Sequence, residues 1–155
     1  MINSTLCYLE KDGCYLMLHR VKKENDVNRD KWIGIGGKIE EKESPEDGIL
    51  REAREETGLE LKSPAYRGIV TFVSDRYETE FMHLFLAKDF AGTIKECEEG
   101  VLEWVPKEKL RELNLWEGDL IFLDLLEKEV PFFSLKLVYI DDALQEAVLN
   151  GERIR

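Results

Sequence analysis

The sequence predicts an α+β fold, a mixed β-sheet with helices packed on its faces. Three observations carry this. Two apolar runs of strand length open the chain as a hairpin. A strongly capped helix interrupts the strand series at residue 44. The later strands and helices then follow one another without the regular alternation of a doubly wound parallel sheet. A chain of 155 residues fits one domain, residues 1–155, and is long enough to bury a core without disulfide or metal staples.

Taken in order, Asn3–Leu9 and Cys14–Arg20 are rich in Leu, Tyr and Cys and flank Lys11-Asp12-Gly13. Asp-Gly between two apolar runs is a strong hairpin signal, because both residues tolerate the positive φ that a tight turn demands. The charged stretch Val21–Lys31 reads as a loop, and Trp32–Gly37 as a short strand entering a tight glycine turn. Ser44-Pro45-Glu46-Asp47 starts a helix: a capping hydroxyl, a proline suited to the first position, and acids at the positive end of the dipole. That helix is predicted to run to Thr57 and stop at Gly58, with Ile49, Leu50 and Ala53 as its buried stripe. Tyr66–Val73 and Phe81–Ala87 read as longer strands joined by Ser74–Thr79. Val101–Val105 is a further strand, followed by a short helix opened by Pro106. Trp116–Glu127 reads as a helix, Phe132–Ile140 as the last strand, and Asp141–Asn150 as a last helix. His19 and His83 fall within strand patterns, where a pairing or packing role is expected.

The net charge of −11 repels a long polyanion, and the basic clusters are short: Arg20, Lys22 and Lys23, then Arg29 and Lys31. A polymeric nucleic acid partner is therefore not expected. A small anion remains compatible if a metal cation lies between it and the carboxylates. Cys7, Cys14 and Cys97 have neither a disulfide framework's spacing nor a zinc site's. No stretch has the length of a membrane span, and no signal peptide is read at the N-terminus, so a cytoplasmic protein with no membrane partner is expected.

The chemistry concentrates in GKIEEKESPEDGILREAREETGL, residues 37–59. Glu52, Glu55 and Glu56 stand at i, i+3 and i+4 and share one helix face. Three like charges there repel, and helix stability does not require them. A hard divalent cation, which takes several oxygen ligands, resolves the repulsion. Gly36 and Gly37 let the backbone come close enough for a carbonyl to join that set. Arg51 can grip Glu43 in a bidentate fork and so orient the neighbouring carboxylates.

This segment resembles the Nudix box, G-x5-E-x7-R-E-U-x-E-E-x-G-U with U apolar. Gly37, Glu43, Arg51, Glu52, Ala53, Glu55, Glu56, Gly58 and Leu59 match every fixed position. The resemblance extends to Lys31-Trp32-x-Gly-x-Gly-Gly-Lys38 before the box and Glu103-Trp104-Val105-Pro106 after it. It implies an α/β/α sandwich around a mixed sheet, and hydrolysis of a nucleoside diphosphate linked to another moiety. It implies Mg2+, with Mn2+ as a substitute, held by Glu52, Glu55 and Glu56 and by a backbone carbonyl near Gly36 and Gly37. Glu52 is either a ligand or the general base, and Arg51 belongs with the catalytic group. From the acidic loop before Val101, Glu99 is the first choice to complete the metal site and Glu98 the second. Lys38 and Arg20 are candidate phosphate contacts. The resemblance also admits a homodimer.

The whole chain is most similar to the MutT-like branch, and within it to the oxidised purine nucleoside triphosphatases. There the Trp116 position stacks on the base and an acid at the Asp119 position reads its edge, with Phe72 and the Ile33 position lining the same pocket. Two positions depart from that pattern: Ile33 stands where those enzymes carry Asn, and Gly118 where they carry a second acid. The expected activity is conversion of a nucleoside triphosphate to monophosphate and pyrophosphate. The alternatives are a Nudix hydrolase of a nucleotide sugar, a dinucleotide or a damaged pyrimidine triphosphate, and a module that senses nucleotides without cutting them.

Overall fold

The computed structural model describes residues 1–155. The chain opens with the expected hairpin, β1 (Ile2–Lys11) and β2 (Cys14–His19), turned at Asp12 and Gly13 with φ of 51° and 75°. It continues through β3 (Trp32–Ile33), α1 (Pro45–Thr57), β4 (Glu60–Leu61), β5 (Ala65–Ser74), β6 (Glu80–Ala87), β7 (Phe90–Ala91) and β8 (Val101–Pro106). A 3-10 helix (Lys107–Glu112) and α2 (Asp119–Glu127) follow, then β9 (Phe133–Ile140), β10 (Ala143–Leu149) and β11 (Glu152–Arg153). The main sheet has the order β11-β10-β9-β5-β6-β1-β2-β3, with β8 also on β2, and β4 pairs with β7 apart from it. It is mixed: β1 runs parallel to β6 and β5 parallel to β9, while the other pairs are antiparallel.

The unbroken apolar runs of the central strands follow from burial on both faces. In β1, β2 and β6, Leu6, Tyr8, Tyr15, Met17, Leu84 and Leu86 point into a cluster that includes Phe122, Leu123 and Leu126 of α2. Their alternating neighbours Cys7, Leu9, Leu16, Leu18, Phe85 and Ala87 point the other way, onto Ile49 and Ala53 of α1. Two cores on opposite faces of one sheet make the α/β/α sandwich. Full burial of a side chain such as Ile49 contributes about 1.5–3 kcal/mol.

α1 is bounded by local chemistry. The Ser44 hydroxyl accepts the Asp47 amide at 3.0 Å, the Asp47 carboxylate accepts the Ser44 amide at 3.0 Å, and Gly58 closes the helix at φ 81°. Elsewhere the structure corrects the expectation. Asp141–Asn150 is not a helix: Asp141 and Asp142, both at positive φ, form a tight turn into β10, which pairs antiparallel with β9. A bulge between Leu144 and Glu146 places Leu144 and Ala147 on the buried face three residues apart, a spacing that imitates a helix. α2 starts at Asp119 rather than Trp116, because residues 116–118 form the turn that leads into it. Of Trp32–Gly37, only Trp32 and Ile33 are strand, and single bridges at Ile35 and Lys38 hold the remainder against β1.

Candidate functional site

The Gly34–Lys38 segment lies so closely along β1 and α1 that a side chain is excluded at each of its glycines. A Cβ on Gly36 would stand 1.9 Å from the Thr5 carbonyl oxygen, and one on Gly37 would stand 2.6 Å from Glu52 Oε1. These glycines therefore bring the backbone against the carboxylates of α1. The Gly36 amide donates to Glu56 Oε1 at 2.8 Å. The Gly37 carbonyl is taken by the Thr5 amide at 2.8 Å and the Thr5 hydroxyl at 3.2 Å, whereas the Gly36 carbonyl accepts no hydrogen bond. Of the two glycines expected near a cation, Gly36 is the one with a free acceptor.

Arg51 organises the carboxylates. Its Nε and Nη2 grip Glu43 at 2.7 and 2.9 Å, Nη1 reaches Glu52 at 2.9 Å and Glu55 at 3.2 Å, and Nη2 also donates to the Lys38 carbonyl at 3.0 Å. The fork holds the Glu43 carboxyl down at about 2. Glu52 and Glu56 are pushed the other way, above the ordinary carboxylate range. Burial is the main cause for both, and Glu99 adds like-charge repulsion. Glu99 therefore faces the helix carboxylates, while Glu98 is exposed and Glu55 stands half in solvent.

Glu56 is the key observation. It is 6 % exposed, and its Oε2 is buried without any hydrogen-bond partner. A buried, unpaired carboxylate oxygen is costly unless it is protonated, as a hydrogen bond toward Glu99 would favour, or a charge of opposite sign meets it. Glu52, Glu56 and Glu99 offer carboxylate oxygens near the Gly36 turn, a donor type that suits a hard divalent cation, but no three acidic or histidine side chains already converge as a preformed metal centre.

The expected phosphate contacts separate. The Lys38 side chain is exposed and forms no ion pair. The Arg20 guanidinium is held between Asp26 at 2.6 Å and Glu99 at 2.8 Å.

On the other face of the sheet, Trp116 meets the edges of Phe72 and Tyr139 with centroids 5.4 and 5.2 Å away, and the Lys31 ammonium lies 5.0 Å over its ring. Its indole N–H donates to Asn28 Oδ1 at 2.8 Å. Asp119 is buried beside Tyr8 and Tyr139, and burial raises its carboxyl to about 8 against the pull of Lys31. The structure thus brings Phe72, Trp116 and Asp119 together. Ile33 packs instead with the cluster beneath α1, away from Trp116. Gly118 has its own reason: a Cβ there would stand 2.6 Å from a Leu137 methyl and 2.7 Å from the Tyr139 hydroxyl, which accepts the Gly118 amide. Asn28, Asp26, Tyr8 and Tyr139 were not singled out in the sequence, because they lie in loops and strands whose convergence no local pattern announces. His19 stacks on Trp32 at 4.3 Å, and His83 bridges Tyr66 and Asn3, the packing roles expected of them.

Residues 3–126 match the NUDIX domain. The chain belongs to the Nudix family. It is 34% identical over 129 residues to the Nudix hydrolase YvcI of Bacillus subtilis, covering 80% of this chain and 78% of that one. It is 32% identical to the mouse oxidized purine nucleoside triphosphate hydrolase, covering 71% of each. Among solved structures, a mutator MutT protein from Bacillus halodurans superposes with a TM-score of 0.85 at 26% identity, covering 98% of this chain and 99% of that one. This Nudix chain is therefore a MutT-like pyrophosphohydrolase, of a family that acts on small nucleotides and generally uses divalent metal ions. No helix is long and apolar enough to cross a membrane.

Proposed function

We propose that this Nudix enzyme hydrolyses a nucleoside triphosphate, with an oxidised purine deoxynucleotide as the first candidate, to the monophosphate and pyrophosphate with Mg2+. The buried, unpaired Oε2 of Glu56 beside Glu52 and Glu99 is the observation that carries the metal half of this reading. The carboxylates of Glu52, Glu55, Glu56 and Glu99 and the Gly36 carbonyl would hold the ion. When bound, it neutralises phosphate charge and polarises the anhydride. Arg51 fixes the helix carboxylates in place, so little reorganisation is needed as charge builds on the phosphates. The exposure of Lys38 beside the glycine turn, without an ion-pair partner, supports a contact with a phosphate oxygen. In this reading Trp116 is the base plate and Asp119 the polar reader; both are buried and Lys31 covers the Trp116 ring, so a base stacks there only after displacing that lysine.

The test is a panel of ordinary and oxidised nucleoside triphosphates, nucleotide sugars and dinucleotides with millimolar Mg2+, with products separated by ion exchange. Monophosphate plus pyrophosphate, fastest from an oxidised purine, is the expected result. Orthophosphate release, or no product from any triphosphate, overturns it. One observation favours a second reading, a different nucleoside diphosphate derivative. Ile33 faces away from Trp116 and Gly118 carries no acid, so Asp119 is the one acidic reader left on the base side. Preference for a nucleotide sugar or dinucleotide in the same panel would establish that reading.

A further inference from the structure

The loop between β2 and β3 joins two parts of the site that no secondary structure connects directly. At one end Arg20 Nη1 donates to Glu99 at 2.8 Å, and Lys23 adds an ion pair to the same carboxylate at 3.3 Å. Arg20 Nε donates to Asp26 Oδ2 at 2.6 Å. The other oxygen of Asp26 accepts the Asn28 amide at 2.9 Å, and the Asn28 side chain accepts the Trp116 indole N–H at 2.8 Å. Glu99, Arg20, Asp26, Asn28 and Trp116 thus form one unbroken hydrogen-bonded series. Its middle is dry: the side chains of Arg20 and Asp26 are 13 % and 5 % exposed.

The backbone reinforces the series. Arg20 donates to the Lys31 carbonyl at 2.9 Å and accepts from Asp30 at 2.7 Å, pinching the base of the loop. Gly100 lets the acidic loop close on β2, since a Cβ there would stand 1.9 Å from the His19 carbonyl oxygen. An arginine that grips two carboxylates in a shielded place is a geometric fixture, and lysine cannot replace its fork. Exposed ion pairs contribute little, but a pair this shielded holds its geometry.

We propose that Arg20 and Asp26 are positioning residues that fix Glu99 and Trp116 relative to one another, making the acidic loop and the base plate one mechanical unit. This rests on reading Glu99 and Trp116 as two ends of one nucleotide site. It assigns Arg20 a role other than phosphate contact. Disturbing either end then changes the other, although the two ends do not touch.

Two measurements on the full chain test this. In the 1H–15N spectrum the three tryptophans give three indole signals. Arg20→Gln, and separately the isosteric Asp26→Asn, should shift or broaden the Trp116 signal while leaving Trp104, which is outside the series, in place. Conversely, Asn28→Ala removes only the side-chain acceptor of the Trp116 indole and keeps the backbone bond to Asp26, yet it should weaken Mn2+ binding, read from free Mn2+ by electron paramagnetic resonance, by about three- to tenfold, the scale of coupling through packed networks. In an Arg20→Gln background, Asn28→Ala should add less than about twofold, because the connection is already broken. A Trp116 signal unmoved in both variants overturns the proposal. So does Mn2+ affinity unchanged by Asn28→Ala in a protein whose wild type binds the ion. If Arg20→Gln does not fold, Asp26→Asn decides both measurements. If the wild type binds no Mn2+ but the Trp116 signal responds, the metal reading fails and the positioning role stands.

Discussion

The two faces of the sheet carry two kinds of candidate site. On the α1 face, almost every polar group that matters comes from residues 36–56, and a single guanidinium, Arg51, touches Glu43, Glu52, Glu55 and the Lys38 carbonyl. On the α2 face, the candidate base-side cluster is assembled from Phe72 of β5, Trp116 and Asp119 at the start of α2, Tyr139 of β9, and Asn28 and Lys31 of a loop. The first is charged and local. The second is aromatic, buried and gathered from distant parts of the chain. On the proposed reading, chemistry that must meet a metal and a phosphate tolerates little displacement, and a contiguous helix with its preceding turn suits it. Selection of a base uses shape and one or two polar readers, and scattered residues can supply these.

Four substitutions bear on that contrast, in decreasing order of expected effect. Glu56→Gln should lower Mg2+-dependent kcat/KM by about a thousandfold or more, the scale of losing one main electrostatic stabiliser. Without metal the same variant should melt no lower than wild type at alkaline pH, since it removes the buried charge, and it should lose the stabilisation that added Mg2+ gives. Activity near wild type would remove Glu56 from the site. Arg51→Lys keeps the charge but loses the fork, and should cost about 10- to 100-fold in activity with a matching loss of metal affinity, measured by titration. A loss confined to thermal stability would make Arg51 structural alone.

Two substitutions address the α2 face. Gly118→Asp introduces the second acid expected from the oxidised purine triphosphatase resemblance, but the side chain meets Leu137 and the Tyr139 hydroxyl. It should destabilise by about 1–3 kcal/mol in denaturant titration, without improving turnover of any oxidised purine. Asp119→Asn should give the smallest change in metal-dependent turnover of an ordinary triphosphate, and its stability effect should be visible in the pH dependence of melting. The Asp119 carboxyl titrates near 8 in the fold, above the ordinary value of 3.8. Its contribution to stability is therefore full below about 4 and is lost as pH rises through 8. The Asn variant should lack that decline and melt a few degrees higher than wild type above pH 8. Parallel melting curves across pH would show that Asp119 is not held as a buried acid.

The same contrast explains what could be read from the sequence. Ser44, Pro45 and Gly58 act within a few residues of themselves, so α1 and its carboxylate face were legible, as was the Glu43–Arg51 fork. The hairpin and the long strands β5 and β6 were legible from their apolar runs. The C-terminal strand β10 was not, because its bulge spaces Leu144 and Ala147 as a helix would. Ile33 was placed in the base pocket by similarity alone, whereas the alternation of β3 against Leu18 turns it to the other face. Asn28 and Asp26 matter through partners 88 and 6 residues away, and the longer separation leaves no trace in a local pattern.

The contact between Gly118 and Tyr139 has an energetic side. The Tyr139 hydroxyl occupies the space that a side chain at 118 would need, and it accepts the amide at that position. A side chain at 118 has to displace both that hydroxyl and a Leu137 methyl. An acid is therefore best accommodated there together with a smaller residue at 139 or 137, and the double substitution Gly118→Asp with Tyr139→Phe should cost less stability than Gly118→Asp alone.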